Sequence, residues 1–485
     1  MSALRTEHLL IDGEWRAAAD GAVIKVENPA DLTVVATVPQ AGDADLDRAL
    51  DAADRVRDDW ARTSAWTRSE LLRGASRNIM DRQEEIARLL TQEQGKPLPE
   101  SRAEVATAAE QFEWYADEAR RIYGRTVDGT SVGVRIEVRK EPIGPVAAFT
   151  PWNFPVMLAA RKLAPALAAG CPIILKPAEE SPSACLAMVK AIQDAGFPAG
   201  VIAAVTGDPA HISERLISSK VIRKVSLTGS VRVGRQLMQL ASQNLAAISL
   251  ELGGHGPVIV CDDVDVAQVA QLSARTKFRN AGQVCISPTR FLVARSIYEH
   301  FVEEFAAVAG ALTLGDGSAD GVDVGPMCSR RRHDDFATLV DDAVQLGAVA
   351  VTGGHSLADA RGGYFYAPTV LRDIPAEARI LHEEPFGPVA LLIPYDTLDD
   401  AVRIANDTDY GLAGYLFTHD LGRAQLLSER VRVGMLGVNS FLVSTAVAPF
   451  SGVGLSGLGA ENGTEGIECY LHPKTVVMGV PAGLS

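Results

Sequence analysis

Cys285 closes the run Phe278-Arg279-Asn280-Ala281-Gly282-Gln283-Val284-Cys285. A thiol works as a nucleophile only when it is partly ionised and reachable. A small, polar, glycine-containing turn can present it to a cleft. A cation such as Arg279, six positions earlier, can lower its pKa. The chain has six cysteines, and none of the other five has such surroundings. Taken alone, the run also fits a small buried hydrophobe, so the partners of the thiol must decide.

Five further segments carry residue types that such chemistry needs. Thr150-Pro151-Trp152-Asn153-Phe154-Pro155 offers the Asn153 amide at a helix start, where donors and the helix dipole stabilise an oxyanion. A plain helix cap is the other reading of Asn153. Ile174-Leu175-Lys176-Pro177-Ala178-Glu179 places Lys176 and Glu179 where they could bind ribose hydroxyls, or where they stand in a surface loop. Ser226-Leu227-Thr228-Gly229-Ser230 is a strand, a glycine turn and a helix start, a setting that favours phosphate but is not the GxGxxG fingerprint. Ser249-Leu250-Glu251-Leu252-Gly253-Gly254 puts an acid in an apolar stretch. Burial raises a carboxyl pKa and suits a general base, or a structural Glu bonded to backbone amides. Glu383-Glu384-Pro385-Phe386-Gly387-Pro388-Val389 sets a carboxylate and an aromatic ring at another turn, to hold a sugar hydroxyl or to lead into a strand.

These residues need a scaffold. From Val146 the chain alternates short apolar runs (146–149, 173–175, 201–205, 225–227) with helical patterns (155–169, 183–195, 210–218). Pro155 suits a first helical turn and Gly170 a stop. This pattern predicts a parallel α/β sheet, with ligands beyond the carboxyl ends of its strands. A second α/β region follows Gly253, with strands at 258–260 and 291–293 and helices at 297–311, 334–346 and 398–406. Ahead of the first sheet, 45–61 and 69–95 carry helical periodicity. The stretch 125–138 alternates about an Asp-Gly turn, and the tail 469–480 alternates like a strand. The division expected is 1–124 with 143–252, then 253–468, with 125–142 and 469–485 as an arm and tail that pair with another subunit or along an internal edge.

At 485 residues two or three domains are expected. The net charge of -15 argues against nucleic acid as a main partner. The basic run Arg330-Arg331-Arg332 precedes His333, Asp334 and Asp335 and reads as a solvated helix start. The apolar run 163–175 is too short to span a bilayer, and the N-terminal stretch lacks the long apolar core of a secretory signal. Without CxxC pairs the cysteines suggest neither a disulfide framework nor a metal site, and a cytoplasmic location fits.

The six segments in this order make the chain resemble the aldehyde dehydrogenase superfamily from about Leu9 to Val480. The resemblance implies a Rossmann-like NAD-binding domain, a second α/β catalytic domain and a small β oligomerisation arm. It implies a dehydrogenase in which Cys285 attacks the aldehyde, Asn153 steadies the oxyanion, Glu251 is the base and Lys162 assists proton transfer. Thr150, Pro151, Trp152, Lys176, Glu179, Gly207, Gly229, Ser230, Leu252, Glu384 and Phe386 would hold the cofactor. The Glu179 carboxylate would bind ribose hydroxyls and repel a 2′-phosphate, so NAD is expected over NADP.

Arg161 and Arg279 match positions that clamp the distal carboxylate in succinate-semialdehyde and 2-oxoglutarate-semialdehyde dehydrogenases, with Ser444 and Phe450 at the same end of the substrate. That implies a short carboxylate-bearing aldehyde as substrate and a homodimer or homotetramer. Departures fall at His255, where many relatives carry Lys or Asn, at Ser451, and at Gly454 and Ala460 in place of Lys and Arg. They bear on the length of the acid and leave the chemistry untouched. Two other readings stay open: a dehydrogenase of neutral aldehydes, and a thiol hydrolase without a redox step.

Overall fold

The computed structural model describes residues 4–479. Its first sheet has eight strands, and five of them form the parallel centre. In spatial order these are Ala247–Glu251, Lys224–Thr228, Val146–Phe149, Ile173–Lys176 and Ile202–Ala204. The chain begins this parallel centre at Val146–Phe149, adds two strands on one side, then returns to add Lys224–Thr228 on the other. That reversal opens a crevice between the ends of Val146–Phe149 and Lys224–Thr228, the switch point where α/β sheets bind ligands. These strands are buried except at Ala247 and Ile248, as expected of a sheet covered on both faces.

Helix Pro155–Ala169 runs as its pattern predicts, with Pro155 in its first turn and Gly170 in the left-handed conformation at its end. The predicted helix 69–95 is in fact two, Ala65–Asp81 and Gln83–Gln94, broken at Arg82. No glycine or proline marks that break in the sequence. Helix Leu98–Glu118 was not anticipated, because it buries Ser101, Glu104 and Gln111 beside its apolar residues and so lacks a clean polar face.

The second sheet has seven strands, with Pro288–Ala294 and Gly256–Val260 at its centre. Helix Arg330–Leu346 starts at the basic run, four residues before the predicted 334. The stretch 125–138 forms a hairpin, Arg125–Asp128 with Val134–Pro142, and Leu471–Gly479 pairs with its longer strand to complete a three-stranded sheet. Gly457–Leu458 lies inside the expected 253–468 region yet joins the first sheet against Leu250 and Glu251. No helix among the described residues is long and apolar enough to cross a membrane.

Candidate active site

The turn before Cys285 is left-handed: Asn280, Ala281 and Gly282 take φ of 51, 52 and 71°. Only glycine and, less easily, asparagine adopt this region at low cost. A Cβ at Gly282 would collide with the Gly387 carbonyl oxygen. Hydrogen bonds hold the turn in place. The Asn280 N–H donates to the Glu100 carboxylate at 3.0 Å, and Asn280 Nδ2 donates to the carbonyls of Asn153 at 3.0 Å and Gln283 at 3.2 Å. Gln283 Oε1 accepts from the Cys328 N–H at 3.0 Å. The result is a rigid pedestal that leaves Cys285 half-buried on a cavity wall.

Burial pushes the Cys285 thiol up to about 12; Arg161 is the cation that opposes this, while Glu384 and Glu251 add to it. The sequence offered Arg279 as the activating cation. In the fold Arg279 is exposed and lies over the Phe154 ring, its guanidinium carbon 5.5 Å from the centroid.

Glu251 ends its strand, and both of its carboxylate oxygens are buried without a hydrogen-bond partner. Burial, with Glu461 second, raises its pKa well above the usual carboxylate range; Lys162 and Arg161 act the other way. Asn153 is buried, and its Nδ2 donates to the Gln283 carbonyl at 3.1 Å. Lys162 is buried and donates to Thr228 Oγ1 at 2.8 Å and to Glu461.

The sequence reading missed Lys96, whose Nζ donates to Glu104 at 2.5 Å and to the Asn153 carbonyl at 2.6 Å. It also missed Glu104, Asn280 and Glu461. Lys96 follows a helix-ending glycine and carries no local sign of burial. Asn280 had one, because a non-glycine residue beside Gly282 that tolerates the left-handed region marks a special turn.

The cavity beside Cys285 has a volume of about 220 Å³, and Arg161, Arg279, Ser444 and Phe450 all line it. Arg161 is 1% exposed. It donates to Ser444 Oγ at 2.5 Å, stacks 4.4 Å from the Phe450 centroid, and keeps a buried Nε without a partner. The four residues expected at the distal end of a substrate therefore share one cavity with the thiol. His255 does not face it: the ring is buried between Thr289 Oγ1 at 2.7 Å and the Ile380 carbonyl at 3.2 Å. Burial and Arg290 hold the His255 pKa well below its ordinary value, so it is a neutral structural group.

The expected cofactor residues gather mainly at the crevice. Trp152 meets Phe386 edge-on at 5.6 Å, packed with Ala178 and Cys328. Glu384 accepts from the Gly254 N–H at 2.8 Å, and burial pushes its carboxyl up to about 7. A Cβ at Gly253 would overlap that carboxylate. Lys176 Nζ sits 2.5 Å from Glu179. Ser230 caps helix Val231–Asn244, and the Gly229 N–H donates to the Glu251 carbonyl at 3.0 Å. Leu252 fills the space over Gly234, while Gly207 (φ 139°) packs against Gln40, Ala41 and Ile212. Pro151 is half-buried at the strand end. Thr150 Oγ1 is buried there without a partner. That orphan hydroxyl, a capped helix N-terminus and the Lys176–Glu179 pair are donors and acceptors suited to a dinucleotide.

The fold and this site together define a thiol oxidoreductase with a dinucleotide crevice. The aldehyde dehydrogenase family model matches residues 15–476. The 4-(hydroxymethyl)benzenesulfonate dehydrogenase TsaD1 of Comamonas testosteroni is 47% identical over 471 residues, covering 97% of this chain and 98% of that protein. The NADP(+) succinate-semialdehyde dehydrogenase GabD of Escherichia coli (strain K12) is 41% identical over 479 residues, 99% of each chain. Among solved structures, succinate-semialdehyde dehydrogenase from Burkholderia pseudomallei superposes with a TM-score of 0.95 at 40% identity, covering 98% of each chain. The chain belongs to the aldehyde dehydrogenase family and is an NAD(P)-dependent aldehyde oxidoreductase.

Proposed function

We propose that the chain oxidises a short aldehyde bearing a distal carboxylate, of the succinate-semialdehyde or 2-oxoglutarate-semialdehyde class, to the dicarboxylic acid. The observation that carries this reading is that Arg161, Arg279 and Ser444 line the same cavity as Cys285. The unpartnered Arg161 Nε and its neighbouring donors would take the far anion in charge-assisted bonds.

The thiol is protonated at rest, so attack needs a base. Glu251, with both oxygens free, accepts the proton, directly or through water. The sulfur adds to the carbonyl carbon and gives a thiohemiacetal. Its oxyanion takes the second N–H of Asn153 Nδ2, the first being held by Gln283. A dinucleotide held in the crevice by Lys176, Glu179, Ser230 and Glu384 would supply a nicotinamide as hydride acceptor, and loss of hydride from the thiohemiacetal carbon would leave a thioester on Cys285. Glu251 then deprotonates the water that cleaves it. Lys162 and Glu461, behind Glu251, take the proton onward.

NAD is the expected cofactor on the strength of Glu179, even though the relative GabD is named for NADP(+). Residues 1–124 and 143–252 would form the cofactor domain and 253–468 the catalytic one. The arm at 125–142 with the tail 469–485 would join a homodimer or homotetramer in the cytoplasm. Residues 480–485 of that tail lie outside the described residues.

A second reading has its own support. The relative at 47% identity is named for a benzenesulfonate. Phe154, Phe441 and Phe450 give the cavity three aromatic walls. A sulfonate offers the same clamp three oxygens. Steady-state rates with succinate semialdehyde, 4-formylbenzenesulfonate and an uncharged aldehyde separate these cases. Arg161→Leu is expected to raise KM for the anionic aldehyde about tenfold or more and to leave the neutral one little changed. Equal kcat/KM for charged and neutral aldehydes in the parent enzyme would remove the clamp.

A further inference from the structure

The basic run Arg330-Arg331-Arg332 has no part in the function described so far. Three cations occupy the first turn of helix Arg330–Leu346, which has no acidic residue there and no side-chain cap. The helix dipole opposes positive charge at this end, and a breach of a local rule is most often found at functional positions. Two of the three arginines have ordinary partners. Arg330 lies over the Tyr364 ring at 5.7 Å, and Arg331 pairs with Asp335 at 3.8 Å, both side chains exposed.

Arg332 turns the other way. Its guanidinium carbon lies 5.7 Å from the Trp152 centroid, on the ring that meets Phe386 in the cofactor crevice. It is half-buried and makes neither an ion pair nor a hydrogen bond with another side chain among the described residues. Its charge acts on Glu384, Glu180 and Cys328, which places it among the groups that bound the crevice. Lys176, the lysine of that site, is already matched by Glu179. The crevice thus holds the carboxylates of Glu180 and Glu384 and one guanidinium with open donors.

A dinucleotide carries its negative charge on the diphosphate, which could not approach two carboxylates without a compensating cation. We infer that Arg332 is a cofactor-binding residue whose guanidinium, lying over the Trp152 ring, receives the diphosphate of the dinucleotide. This rests on the reading of the crevice as the cofactor site. A guanidinium held over an aromatic ring with its fork of donors left free is an arrangement in which arginine binds phosphate well.

Isothermal titration of the full-length enzyme with NAD and with ADP-ribose, at low and high salt, tests the assignment. Arg332→Met keeps the apolar stem on Trp152 and removes the charge. It is expected to raise Kd for both ligands about tenfold and to flatten the salt dependence, and Arg332→Lys is expected to recover part of the loss. Arg331→Gln should bind like the parent. The assignment is overturned if Arg332→Met binds both ligands as the parent does, or if lysine is as poor as methionine and the salt dependence is unaltered. The second result would mark a merely structural contact. If the parent binds neither ligand, the cofactor site itself has been misread. If the parent binds both and only Arg332 proves indifferent, this inference alone fails.

Discussion

Burial raises the pKa of Glu251 well above the usual carboxylate range and pushes the Cys285 thiol up to about 12, and the charge of Glu251 adds to the rise of the thiol. A carboxyl of raised pKa cannot accept a proton until pH climbs through that value. Turnover should therefore rise with pH as the Glu251 carboxyl ionises, above the range of an ordinary carboxylate. Glu251→Gln is expected to lower kcat by about 10² to 10⁴-fold and to abolish that rise. A pH–rate profile unchanged in the variant would take the base role from Glu251. The identity of both residues was legible in the sequence, because an acid beside two glycines and a thiol after a glycine turn are local features. The effect of Glu251 on the thiol was not, since the two residues stand on distant segments and meet only through the fold.

At the scale of elements, helix Val266–Phe278 leads straight into the left-handed turn and also buries a cation. Lys277 Nζ donates to Ser287 Oγ at 2.9 Å, and burial pushes its pKa down to about 7, with Glu384 opposing. An unfolded lysine titrates near its ordinary value of about 10.4. Between about pH 7 and pH 10 the unfolded chain thus binds a proton that the folded chain does not, and stability rises with pH through this window. Lys277→Met should flatten that rise in thermal unfolding and stabilise the protein at pH 7. A variant with the parent's pH dependence would show that Lys277 is charged in the fold. Helix Pro155–Ala169 was readable from its proline start and glycine stop, whereas Leu98–Glu118 was not. Its Glu104 leaves solvent to accept from Lys96 and from the N–H groups of Val156 and Met157. A carboxylate committed to a neighbouring helix looks in the sequence like a surface residue.

For the whole molecule, the sheet of 125–128, 134–142 and 471–479 stands out from the two large ones with little burial on either face. Val477 on it is 63% exposed and Val132 fully so. A monomer gains nothing by exposing them, and a subunit contact would cover them. Val477→Lys is expected to shift the enzyme to a smaller species in sedimentation velocity, with an unaltered circular-dichroism spectrum. A parent enzyme that already sediments as a monomer would rule out the arm as a contact.

The six motifs are each contiguous, so the sequence by itself determined the family and marked Cys285, Glu251 and Asn153 as the residues proposed here for nucleophile, base and oxyanion donor. Contiguity places a residue on a strand end or a turn, and for chemistry carried by one residue that is enough. What the tertiary structure decided depends on residues brought together from distant segments. It made Arg161 the cation that opposes the rise of the thiol, because helix Pro155–Ala169 buries it, while Arg279 lines the same cavity from an exposed position. It placed His255 away from the cavity beside Cys285, in a hydrogen bond with Thr289. It also turned Arg332 from a solvated helix start onto Trp152. Charge and burial fall off over a few ångströms in space, and no spacing along a chain reports that distance.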